Sequence, residues 1–149
     1  MDPVTVIGLL SSVGNLIESS HSFIRLVKSF LDGDEELREL LGTVLVFGEA
    51  LKGFDRVLRS RQAVKLVAES VIQNALENAG KIINDLEERL RRILKSEVLT
   101  MRRLKWIQHK SEFKKLHERL KEQNAMLQTF LALTHTLVAL FVAILTGSN

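Results

Sequence analysis

After Pro3 the chain has no proline, and apolar residues recur at three- and four-residue steps along nearly all of its 149 residues. Proline is the strongest interruption of a helix interior, and the three-to-four step is the period of one helix face. The pattern predicts an all-α fold, a helical bundle of four long helices plus one short helix. A length of 149 residues makes one domain over residues 1–149, large enough to bury a core.

Read in order, the first helix spans about 3–31, with Asp2 as N-cap and Pro3 at its first position, where a missing N–H costs nothing. Its apolar stripe includes Val6, Leu9, Leu10, Val13, Leu16, Ile17, Phe23, Ile24 and Val27. Asp34 caps a second helix over 34–59 that opens on Glu35 and Glu36. Ser60, Arg61 and Gln62 form a short link, which predicts that the second helix and a third over 63–95 are antiparallel neighbours. A short helix over 97–108 leads to a break near His109. Ser111 then caps the last helix, 111–145, which Thr146 and Gly147 stop.

Charge is spread unevenly although its net is only +3. Arg91 to Glu122 holds eleven Lys or Arg against four Glu, and no charged side chain follows Glu122. The uncharged tail from Ala125 to Leu145 is 21 residues, about a bilayer crossing, but Gln128, Thr129, Thr134, His135 and Thr136 interrupt it. It reads as a central bundle helix buried on most sides. The amino-terminal run is also uncharged, for 15 residues from Pro3 to Ile17, too short to span, and no basic region marks it as a signal peptide. Gly8 and Ser12, or Ser11 and Asn15, have the small-xxx-small spacing of close helix pairs, in lipid or in water. On spacing alone this is an amphipathic bundle helix.

Nothing in the sequence asks for catalysis. His21, His109, His117 and His135 lack metal-ligand spacing, and there is neither a phosphate-binding Gly-rich loop nor a nucleophile elbow. The chain has no Cys, so it has no disulfide or thiolate metal site, and it suits a reducing interior. Asp85, Glu87 and Glu88, set among arginines, read as a solvated helix face. His135 reads as a core or interface histidine and His117 as facing water. No enzyme activity, cofactor or metal is expected.

The basic stretch, with Arg102, Arg103, Lys105, Lys110, Lys114 and Lys115, suits anionic lipid head groups, each such residue contributing about 1 kcal/mol near a membrane. Trp106 is of the type that sits at membrane interfaces. Nucleic acid is disfavoured, because aromatic side chains such as Trp106 are sparse in the stretch and no helix-turn-helix, zinc or basic-zipper signature accompanies them.

The opening MDPVTVIGLLSSVGNLIE, then LVKSFLDGDEELRELL, EALKGFDRVLRS and RRLKWIQHKSEFKKLHERLKEQNAMLQTFLAL, resemble the fungal HeLo-like domains over essentially the full chain. These stand at the amino terminus of fungal STAND proteins of the NOD-like-receptor type and of their execution partners. They are related to HeLo domains and to the four-helix bundle of mixed lineage kinase domain-like protein. The resemblance implies a domain that is cytoplasmic at rest and is clustered by an upstream receptor or an amyloid-motif partner. It then self-associates and inserts its first helix into the plasma membrane, killing the cell. Carried over, the inserting residues are Val4, Val6, Ile7, Leu9, Leu10, Val13, Leu16 and Ile17, with Glu18 limiting depth or facing a pore. The rival expectation is a non-lytic signalling adaptor.

Overall fold

The computed structural model describes residues 3–30, 34–59 and 69–147, the side chains of 3–6, 69, 70 and 138 excepted. It contains four helices: α1 (Pro3–Phe30), α2 (Glu35–Arg59), α3 (Glu69–Leu94) and α4 (Leu99–Leu145). No strand occurs among the described residues, and the chain is an all-α bundle. The Asp2 cap, the turn at Asp32 and Gly33, the link at Ser60 to Gln62 and the start of the third helix at Ala63 lie outside the described residues.

Side-chain pairs fix the helix directions. Gln73 on α3 donates to Ser12 on α1 at 3.3 Å, and Ser22 on α1 donates to Glu87 on α3 at 2.8 Å, so both positions rise together and the helices are parallel. Asp34, Thr43 and Gly53 meet Trp106, His117 and Leu131 in that order, so α2 and α4 are parallel too. Among the described residues α1 packs on α2 and α3, α4 packs on the same two, and α2 does not meet α3. The predicted α2–α3 neighbourhood is therefore replaced by opposite corners of a square. Arg59 and Glu69 are far enough apart in sequence, at about 3.3 Å per residue, for the chain to cross a bundle end.

The core fills the square. Leu9, Val13, Leu16, Phe23 and Val27 of α1 meet Leu37, Leu40, Val44, Phe47 and Phe54 of α2, and Ile72, Leu76, Ile83, Leu86 and Leu90 of α3. Gly53 admits a neighbour closely, since a Cβ there would lie 2.8 Å from Leu131 Cδ2.

The break expected near His109 is absent, and the segments 97–108 and 111–145 run on as one helix of 47 residues. Trp106, Phe113, Leu120, Leu127 and Thr134, all buried, explain this. Their seven-residue step holds one face through Ser111, so a break would turn Trp106 out of the core. Ser111 is mid-helix and exposed. The helix ends where expected: Thr146 and Gly147 donate their amides to Val142 and Ile144, with Gly147 at φ 63°, a conformation open to glycine.

At 1.5 Å per residue α4 is about 70 Å long, far longer than α2. Phe30 packs edge-on to Trp106 with ring centroids 6.1 Å apart, which sets the level of the two helices. From there α1 climbs about 40 Å to Pro3, a height α4 reaches near Leu133. Thr134 is the last buried residue of α4, and every side chain described from His135 onward is exposed. The tail is thus no central core helix, and His135 is no core histidine.

Candidate functional site

The α1 positions expected to insert belong to the resting core. Leu9, Val13 and Leu16 are buried, and Leu10 and Ile17 are partly buried against the same cluster. Ile7 is exposed, at 66%, and Glu18 is exposed. The side chains of Val4 and Val6 lie outside those described. The stripe that would serve a membrane is the one that holds α2 and α3 together.

Among the described residues, an exposed apolar surface lies elsewhere, on the end of α4. Leu137, Leu140, Phe141, Val142, Ile144 and Leu145 are all exposed, Ile144 at 77%. Among the described residues α4 is the one helix long and apolar enough to cross a membrane. Its tip and the amino end of α1 emerge at the same end of the bundle, since Phe30 and Trp106 join the two helices near their other ends.

The basic stretch lies at the opposite end. Arg102 lends its guanidinium to the carbonyls of Leu94 and Ser96, closing the end of α3. Lys110 approaches Asp34 and Lys115 approaches Glu112, each at 3.5 Å, while Arg103 and Lys114 are exposed and Lys105 is half-buried. Val98, Leu99, Met101, Leu104 and Ile107 are exposed among them. Lys105 stands roughly 45 Å along α4 from the start of its uncovered tip, many Debye lengths away. One bilayer contact at the tip leaves Arg102, Arg103 and Lys105 out of reach.

Two polar contacts in this region escape a reading of the sequence. Trp106, expected at an interface, is 5% exposed, lies between Phe30 and Phe113, and donates its indole N–H to Asp34. His117, expected in water, is 2% exposed. Its Nε2 shares a hydrogen bond with the Thr43 hydroxyl at 2.6 Å, and its Nδ1 lies 3.5 Å from Glu36. Its place four residues after Phe113 and three before Leu120, within the apolar period, is the signal that reveals it.

Asp85, Glu87 and Glu88 pair with Arg89, Arg91 and Arg92 one turn on; Glu88 lies on the expected solvated face, whereas Glu87, 17% exposed, sits at the α1 seam and also accepts from Ser22. Among the described residues no group of His, Asp and Glu could hold a metal. Compared with known proteins, the chain matches no family model, no curated protein and no solved structure.

Proposed function

We propose that the chain is a non-enzymatic, membrane-acting cell-death execution domain whose first helix is released on clustering and permeabilises the plasma membrane. One observation carries the reading: the charge-free start of α1 and the uncovered tip of α4 share one end of the bundle. That end bears Ile7 and Leu140 to Leu145, and a bilayer lying there meets α1 at its uncharged residues. The likeness to HeLo-like sequences supports the same class. Several weakly inserting helices held together gain an avidity that one lacks, which gives clustering its role. Glu18 sets the depth, because a carboxylate resists the hydrocarbon unless neutralised or facing water.

Dye release from liposomes tests the proposal. The intact chain, artificially clustered, is expected to release dye, and a chain starting after Ile17 is not, with both checked for helicity. Burial of Leu9, Val13 and Leu16 favours a second reading, an adaptor whose α1 never leaves the bundle. Absence of release from a folded, clustered protein would select it.

A further inference from the structure

We infer that the resting, folded bundle is already held on a bilayer by the tip of α4, His135 to Leu145, independently of its basic residues. This deepens the membrane reading above and rests on it, but concerns an earlier state, before α1 has moved. It assigns the contact to a different helix.

Beyond His135 and Thr136 the tip is apolar on every side. Leu137, Ala139, Leu140, Phe141, Val142, Ala143, Ile144 and Leu145 are distributed around the whole circumference, and all are exposed. A helix apolar all round is one surrounded on all sides. A second copy would cover one side of the tip and leave the other wet. Such an interface also draws on about 800 Å² from each partner, more than one side of a three-turn tip presents. A lipid chain environment covers every side.

The threonine hydroxyls of the segment suit the same occupant. Hydroxyls have no water to turn to in hydrocarbon and must be satisfied within the helix. Thr129, Thr134, Thr136 and Thr146 donate to the carbonyls four residues back, of Ala125, Phe130, Ala132 and Val142, at 2.9, 2.8, 3.0 and 2.8 Å. Every threonine hydroxyl beyond Glu122 is thereby paired inside α4. The amides of Thr146 and Gly147 are paired too.

The eleven residues from His135 to Leu145 extend about 16 Å, within a hydrocarbon core of about 30 Å. The tip can enter without disturbing Leu127, Leu131 or Thr134, which pack on the bundle. So seated, it brings the amino end of α1 to the membrane surface and points Arg102, Arg103 and Lys105 away from it.

Vesicle flotation tests the anchor. The unclustered chain is expected to float with neutral phosphatidylcholine vesicles as well as with vesicles containing phosphatidylserine. Leu140→Glu combined with Ile144→Glu should lower the floated fraction at least about tenfold, since carboxylates do not enter hydrocarbon cheaply. Both residues are exposed, so the fold should survive, as circular dichroism will report. The chain lacks Cys, so an environment-sensitive dye on Ile144→Cys reads the tip alone, and its emission should shift to the blue on vesicles. Flotation that needs phosphatidylserine and ignores the two glutamates would overturn the anchor in favour of the basic stretch. A blue-shifted tip in a dimer without lipid would overturn it in favour of a second copy. Dye release run alongside separates the two proposals: a chain that floats but never releases dye keeps the anchor and loses the lytic reading. Release by clustered chains whose unclustered form does not float with neutral vesicles does the reverse.

Discussion

The indole of Trp106 donates to Asp34 Oδ2 at 2.8 Å, while Oδ1 of the same carboxylate accepts the Leu37 amide at 3.2 Å and caps α2. One side chain thus starts a helix and ties it to another. Asp34→Ala removes an N-cap worth about 1 kcal/mol and leaves a buried indole N–H unpaired at about 1–3 kcal/mol. A loss of roughly 2–4 kcal/mol is expected in denaturant unfolding.

The same carboxylate predicts an acid limb of the stability curve. Burial raises the pKa of Asp34, but the hydrogen bonds from Trp106 and Leu37 and the charge of Lys110 outweigh it and hold the group below its ordinary value. A group with a lowered folded pKa stabilises fully above its unfolded value, near 3.9, and its contribution fades as pH falls through the folded one. Unfolding followed by Trp106 fluorescence should show stability falling below about pH 4. Asp34→Asn, which cannot titrate, should lose less over that range.

Thr43→Val keeps the shape of the α2–α4 seam and strips the hydrogen bond to buried His117. The cost should be about 1–3 kcal/mol, because the imidazole loses its partner. Thr136→Val, on the exposed tip, should change stability by no more than about 0.5 kcal/mol. Thermal unfolding of the two variants side by side measures the contrast.

On α1, Phe23→Ala should cost about 3–5 kcal/mol and Ile7→Ala about 0.5 kcal/mol or less, because Phe23 is wholly buried and Ile7 is not. Equal effects in chemical denaturation would mean that α1 is not seated as described.

Gly42 lies mid-helix with nothing within 4 Å of where a Cβ would stand. Gly42→Ala should therefore stabilise by about 0.5–1 kcal/mol through the chain entropy it removes, visible as a raised Tm.

The helix class was legible because the period of three to four holds through Leu9, Val13, Leu16 and their counterparts on α2 and α3. Asp34 as a cap and Gly147 as a stop were legible for the same local reason, since each is a rule about a few neighbouring residues. The square arrangement was not, because the corner each helix takes depends on contacts between distant residues, such as Thr43 with His117. The break expected near His109, with Ser111 as the next cap, was overridden by the seven-residue ladder from Trp106 to Thr134. The exposure of the α4 tip was hidden for another reason. Its composition is that of a buried helix, and only its length relative to α1 and α2 leaves it uncovered.

The diagonal placement of α2 and α3 also sets the order in which this chain can assemble. The pairs α1–α2 and α3–α4 are hairpins closed by near neighbours in sequence, while α1–α3 and α2–α4 are seams between residues 61 to 78 positions apart. Hairpins of local contacts form early, and distant seams carry the greater loop-closure cost. The α1–α3 and α2–α4 seams, which cross from one hairpin to the other, are therefore expected to close last.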